Sequence, residues 1–467
     1  MENPIIYNVL NSNSSPFIHG SSYAYKWDEA KKAVFTITNF FKFHKIKQGD
    51  IIAIDSIKDF YSYVTILACY CNGITFSPLN FDDLKKSKTI PDIYLPKLFL
   101  SSNLKHSINN PKIIHIESEL KRFNSKKYLD FISKPIGNSI AYIMQSSGST
   151  GEPKVIPISY SNLESYLNAV EKITTFKKNS VFSQITNLTF DLSMHDIFLC
   201  FRYQGSLLPL KNSFGKLAAR FIQTYNVENI MLVPSFLDQL VNEQTLIKSV
   251  KNLFFCGEAL HKKIAILASR IFPNASLYNF YGPTETTVAK TYFKISNAEN
   301  ICSEIVPIGN ALPGSKVKLN QNNELLLNGP QVFSGYLNNN GKNPFYDTNK
   351  LYYLSGDKCT YDGDNFHFVG RVDFQIKYRG YLIELEGIEA ILSNSLSGEF
   401  AAIGYNQIVP GNFWNLIIFF TSKDLIHNKI VQLLPSYLSN ISTKNISHLP
   451  KNQNGKIDRK ALIPIVK

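Results

Sequence analysis

From Asp50 to Gly282 the chain alternates short apolar runs with stretches of helical pattern, and this alternation limits the fold more than any other feature. "DIIAID" (50–55), "KIIHIE" (112–117), "NIMLVP" (229–234), "NLFFCG" (252–257) and "SLYNFYG" (276–282) read as strands, and "FYSYVTILACY" (60–70) as a buried helix. Strands spaced by helices build an α/β sheet with crossover connections. After about residue 300 the pattern turns to short strands and turns, in "ELLLNGPQVFSGYL", "LYYLSGD" and "NFHFVGRVDFQIKYRGYLIEL". That predicts a β-rich subdomain. Beyond Asp373 a small α+β unit is predicted, with "EGIEAILSNS" as a helix and "FWNLIIFFTS" as a strand. A chain of 467 residues, 44% hydrophobic, is too long for one core. The expectation is therefore an α/β and β protein: a large domain over 1–372, β-rich from about 300, and a small α+β domain over 373–467.

In open α/β sheets, ligands sit beyond the carboxyl ends of the strands. Cys256-Gly257-Glu258 follows one such end, and Tyr281-Gly282-Pro283-Thr284-Glu285 another. A third strand, "AYIMQ" (141–145), runs into "SSGSTGEPK", Ser146 to Lys154. Glycines there let backbone N–H groups converge on an anion; hydroxyls add donors and the lysine adds charge. The plain alternative is a flexible Gly/Ser linker. The context favours a phosphate cradle, because "IPISYSNLESYLNAVEKI" leads out as an amphipathic helix with Ser161 and Glu164 at capping-box spacing. It is not the common P-loop: Gly148 and Gly151 are too close together, and Lys216, Lys342 and Lys456, each after a glycine, are followed by Leu, Asn and Ile.

Charged residues at 18% and aromatics at 13% describe a packed protein rather than a disordered one. No apolar run approaches the ~18 residues needed to span a bilayer. The start, "MENPIIYNVLNSNSSPF", lacks a basic segment followed by a long apolar one, so no secretory signal is expected. Six cysteines at 69, 71, 200, 256, 302 and 359 show no zinc spacing. Reduced thiols and a cytoplasmic location follow as the simplest expectation. Net charge is +13, but lysine is spread along the chain with no dense basic block. Charge of this kind speaks to association rather than fold, and no nucleic-acid recognition motif accompanies it.

"SSGSTGEPK", "NFYGPTETT", "YLSGD", "GRVDFQIKYRGYLIELEGIE" and "NQNGKIDRKAL" occur together in that order. The set resembles the adenylate-forming superfamily, specifically amino-acid adenylation enzymes of the nonribosomal peptide synthetase type. The resembling stretches run from about residue 140 to the C-terminus. The resemblance implies an ATP-dependent ligase acting in two halves. A carboxylate attacks the α-phosphate of ATP, giving an acyl-adenylate and pyrophosphate, and a thiol then takes the acyl group. It implies that Ser146, Ser147, Gly148, Ser149, Thr150, Gly151 and Lys154 hold phosphate oxygens. Gly257, Glu258, Asn279, Phe280, Tyr281, Gly282, Pro283 and Thr284 would line the nucleotide, with Tyr281 stacked on adenine. Glu285 would bind Mg²⁺, a hard cation suited to carboxylate oxygen. Asp357 would accept from the ribose hydroxyls and Arg371 would add a cation near ribose or phosphate. Lys456 would be the catalytic residue, neutralising charge as the transition state forms. For Lys456 to act there the small domain must fold back, and the resemblance makes that domain mobile about a hinge at Asp373.

"NLTFDLSMHDIFLCF" (187–201) separates amino acids from other acids. Ser193 and Asp196 have capping-box spacing, which leaves Asp191 without an obvious structural task. By resemblance Asp191 pairs with the substrate ammonium; its plain alternative is an N-cap. Matching positions put Leu192, His195, Met231, Phe254, Cys256, Phe280, Val288 and Ala289 around the substrate side chain. They are mostly apolar and bulky, so a small to medium apolar amino acid is expected, D-alanine among them. His195 reads either as a polar contact or as a packed histidine. "LFFCGEAL" and "GRVDFQIK" look like D-alanine–carrier protein ligases in particular, whereas Val155, His195 and Phe280 depart from that pattern.

Eleven residues follow Lys456, so the expected partner is a separate holo acyl or peptidyl carrier protein. An acyl-CoA synthetase using free coenzyme A and a non-catalytic homologue remain as alternatives.

Overall fold

The computed structural model describes residues 3–20, 24–87, 95–103, 113–123, 131, 135–146, 154–210, 216–240, 245–338, 344–346, 352–371, 375–378, 381–405, 415–422, 427–451 and 457–466. Two compact units emerge, one of Met1–Met144 with Val155–Val369 and one of Gln145–Lys154 with Gly370–Lys467.

In the first unit, among the described residues, one sheet has six strands. Its order is Ile113–His115, Leu98–Ser101, Ile51–Asp55, Thr75–Leu79, Ile140–Ser146, Lys154–Ser159. A second sheet has nine strands, at whose heart Ser206–Pro209, Val181–Gln184, Asn229–Leu232, Asn252–Phe255 and Ser276–Tyr281 lie side by side and parallel. Thr291–Ile295 then turns back antiparallel against Ser276–Tyr281. Asn229–Leu232 and Asn252–Phe255 are buried along their whole length. Strands covered on both faces need such continuous apolar runs, which is why they read clearly in the sequence. A four-stranded sheet from Lys316 to Arg371 forms the β-rich part.

Helix Phe60–Cys71 starts where the Asp59 side chain accepts from Ser62 N, and all of its residues but Tyr61 are buried. Helices Tyr160–Glu171 and Leu192–Arg202 are tied by Arg202, which pairs with Glu164 and Glu171 at 2.9 Å each. Glu164 is thus an ion-pair partner and not the capping acid that the sequence suggested. The helix begins earlier than that spacing implies: Ser159 is the N-cap and Asn162 completes the box.

The glycine-rich stretch does not lead directly into a helix, as the sequence suggested. It joins two neighbouring strands, Ile140–Ser146 and Lys154–Ser159, and the helix comes only after the second. The run Val155–Ile158 is buried throughout and β-branched at three of its four positions, so it extends the sheet instead of opening a helix. "KIIHIE" divides likewise, into the strand Ile113–His115 and a helix from Ile116.

In the second unit, Phe400–Tyr405 and Asn415–Phe420 pair antiparallel and Ser442–Asn445 adds parallel to the latter. Side-chain alternation decides its layers. Phe400, Ala402, Ile418 and Phe420 pack with helix Leu385–Ser395, while Ala401, Ile403, Ile417 and Phe419 pack with Leu449 and Leu462. Arg459 clamps Glu389 of helix Leu385–Ser395 with two 2.7 Å contacts and donates Nε to Ala402 O of the sheet at 3.2 Å, tying the last helix to both. Lys154 forms a 2.7 Å ion pair with the buried Glu384 in this unit.

Candidate active site

The site of the first unit lies at the carboxyl ends of the parallel strands. Asn252–Phe255 ends in Cys256 and Gly257, whose φ of +90° suits glycine. Ser276–Tyr281 ends in Gly282, where an added Cβ would lie 2.7 Å from Ala289 Cα. Only glycine lets these two backbone segments approach so closely. Pro283 leads into a single turn at Thr284–Thr286.

Tyr281 and Asp357 meet directly: the phenol donates to Asp357 Oδ2 at 2.5 Å, and both side chains are buried. Burial and the adjacent carboxylate push the phenol well above its ordinary pKa, so it stays a donor. Glu285 is also buried, with Oε1 accepting from Tyr336 Oη at 2.7 Å. Among the described residues no group of three or more His, Cys, Asp or Glu forms a metal cage. A single fixed carboxylate suits Mg²⁺, which is commonly held by one or two carboxylates together with substrate phosphates.

Two expected nucleotide contacts are engaged within the fold. Glu258 accepts from Ser235 N and Ser235 Oγ at 2.9 Å each, holding the start of helix Pro234–Leu240. Asn279 donates to the carbonyls of Val306 and Pro307. Arg371 ends the strand Phe366–Arg371. Ser146 ends the strand Ile140–Ser146. Ser147, Gly148, Ser149, Thr150, Gly151, Asp373 and Lys456 lie outside the described residues.

Asp191 stands at the head of helix Leu192–Arg202, yet its side chain makes no capping bond. Its Oδ2 instead accepts from Val288 N at 3.0 Å. Ser193 is no capping residue either, since its hydroxyl donates to Phe190 O at 2.6 Å, and Asp196 is fully buried. The expected Ser193–Asp196 capping box therefore does not form. Asp191 holds the N-cap position, with its side chain turned away from its own helix and toward Val288 N.

One turn further along the helix, His195 shares a face with Asp191. His195 is fully buried, with Nδ1 2.7 Å from Tyr166 Oη and its ring 4.6 Å from that of Phe254. Burial lowers its pKa to about 3, so the imidazole is neutral. Phe254 and Phe280 are 5.0 Å apart, and Cys256 Sγ points to Val288 O at 3.8 Å. Leu192, Met231, Phe254, Cys256, Phe280, Val288 and Ala289 belong to one buried cluster. Tyr166 and Tyr336 carry no sequence signal for these contacts. Only the fold brings Tyr166 to a residue 29 positions away and Tyr336 to one 51 positions away.

The fold and these strand ends define an adenylate-forming enzyme, and residues 100–337 match the model of the AMP-binding enzyme family. The chain belongs to that family. It is 32% identical over 363 residues to the D-alanine–D-alanyl carrier protein ligase of Staphylococcus epidermidis, covering 72% of this chain and 73% of that protein. The namesake ligase of Staphylococcus aureus RF122 is 31% identical over 358 residues, with the same shares. Among solved structures, the Vibrio cholerae adenylation domain AlmE in complex with glycyl-adenosine-5'-phosphate is 25% identical. It aligns at a TM-score of 0.81 over 99% of this chain and 97% of that one. PA1221, a nonribosomal peptide synthetase protein with adenylation and carrier domains, shares the fold at 19% identity and a TM-score of 0.80, over 98% and 83%. No helix among the described residues is long and apolar enough to cross a membrane.

Proposed function

We propose that this enzyme activates a small amino acid as its aminoacyl-adenylate and passes it to the phosphopantetheine thiol of a separate carrier protein. The observation that carries the reading is the Asp191 carboxylate, buried beside Val288 and one helical turn from His195. A buried carboxylate turned toward Val288 N and away from its own helix has the chemistry to accept from an ammonium group. Breaking such a pair leaves a charge uncompensated, which discriminates against acids without the amine. His195 packs ring to ring with Phe254 and Phe280, bulk that favours an alanine-sized side chain. The D-alanine ligase relatives and the glycyl-adenylate held by AlmE support that size.

In the first half-reaction a substrate carboxylate oxygen bonds to the α-phosphorus of ATP. The bond from that phosphorus to the bridging oxygen breaks, and pyrophosphate leaves. Tyr281 gives adenine an aromatic surface, and Asp357, held by the Tyr281 hydroxyl, accepts from the ribose hydroxyls. Glu285 would hold Mg²⁺, which when bound neutralises phosphate charge. The stretch Ser146–Lys154 would hold the leaving phosphates, and Lys456 would offset charge on the α-phosphate and carboxylate. In the second half the carrier thiol loses its proton, its sulfur bonds to the acyl carbon, and AMP leaves. Movement about Asp373 separates the halves. None of the six cysteines forms a disulfide, which suits a reducing compartment, and we place the enzyme in the cytoplasm.

The test is loading of a holo-carrier with alanine in either enantiomer, followed by intact-protein mass, against coenzyme A at equal thiol concentration. Saturable aminoacylation of the carrier supports the reading. Equal acylation of coenzyme A replaces it with an acyl-CoA synthetase.

A further inference from the structure

Thr287 and Val288 both carry positive φ, at 59° and 65°. Two consecutive β-branched residues in the left-handed region form an outlier that the surroundings must enforce. Each is fastened separately. Val288 N donates to Asp191 Oδ2 at 3.0 Å, and Thr287 Oγ1 donates to the main-chain oxygen of Gln331 at 2.7 Å. Gln331 is fixed in turn: its Oε1 accepts from Lys290 Nζ at 2.9 Å and from Ser315 Oγ at 2.8 Å. Thr287, Lys290 and Gln331 are at most 1% exposed. Lys290 Nζ is crowded as well, because a Cβ on Gly329 would come within 3.1 Å of it. A buried lysine whose amine meets a neutral amide oxygen is an expensive feature to keep. Here it fixes the residue that anchors the strained turn.

We propose that Thr287, Gln331 and Lys290 are positioning residues for amino-acid recognition, holding the Thr287–Val288 backbone that presents its N–H to Asp191. The proposal rests on the amino-acid-activating reading above. A carboxylate held by a main-chain donor keeps one orientation. A turn relaxed to negative φ would swing that N–H away and release the carboxylate. Binding of the amino acid then weakens, while the adenine and ribose contacts at Tyr281 and Asp357 stay intact.

ATP–pyrophosphate exchange on the intact enzyme, with the amino acid it uses best, reads this out. Thr287→Val keeps the shape and loses the hydroxyl. It should raise KM for the amino acid roughly tenfold, with kcat and the KM for ATP within about twofold of wild type. Thr287→Ser should restore KM. Gln331→Met, which leaves Thr287 in place and removes the acceptor for Lys290 and Ser315, should repeat the Thr287→Val result. It carries the test if Thr287→Val does not fold. The proposal is overturned if wild type exchanges normally and both variants leave the amino-acid KM within twofold, or raise both KM values together. A wild type that exchanges with no amino acid overturns the underlying reading, and this one with it.

Discussion

Asp191 Oδ2 and Val288 N are joined at 3.0 Å although 97 positions separate them in the chain. The bond fixes the orientation of a buried carboxylate. Asp191→Asn keeps an acceptor for Val288 N–H and removes only the charge. The variant should fold with an unchanged melting temperature and bind ATP normally. Its kcat/KM for the amino acid should fall by roughly a hundredfold or more, the scale of a broken buried charge pair.

Tyr336 bears on the metal ligand. Its hydroxyl holds Glu285 Oε1 at 2.7 Å, and Tyr336→Phe removes that bond together with the hydroxyl's contact to Tyr353. Manganese affinity in the presence of a non-hydrolysable ATP analogue, followed by electron paramagnetic resonance, should weaken about tenfold. The KM for the amino acid should stay as it was.

Strand placement was legible wherever burial on both faces forced a continuous apolar run, as in "NIMLVP" and "NLFFCG". The second-unit helix at "EGIEAILSNS" and the strand within "FWNLIIFFTS" were legible for similar reasons of pattern. Spacing rules misled at Ser161–Glu164 and Ser193–Asp196, because a capping box depends on where the helix actually starts. Asn162 and Phe190 decide that, and neither stands out in a sequence. Pairings across the fold, such as Tyr281 with Asp357 or Lys290 with Gln331, carry no local signal at all. They exist only once the β-rich part is folded against the strand ends.

Lys290 also makes stability depend on pH. Burial lowers its pKa from 10.5 to about 7 in the folded chain, while the unfolded chain keeps the ordinary value. Between pH 7 and 10.5 the unfolded state binds more proton, so stability rises with pH across that window. Below pH 7 both states are protonated and the full penalty is present. Lys290→Met lacks this dependence. In urea unfolding, the stability of wild type relative to Lys290→Met should increase by about 2 kcal/mol from pH 6.5 to pH 9.

A net charge of +13 favours encounter with an acidic carrier protein. Carrier loading should slow as ionic strength rises, since salt screens long-range attraction. Adenylate formation measured without carrier should show little such dependence.

The most direct test compares alanine with propionate, the same acid without its amine, in ATP–pyrophosphate exchange. Asp191 facing an ammonium requires alanine, in one or both enantiomers, to support exchange at least a hundredfold more efficiently than propionate. Asp191→Asn should shrink that gap. Exchange with propionate matching that with alanine in the wild-type enzyme would contradict amino-acid activation.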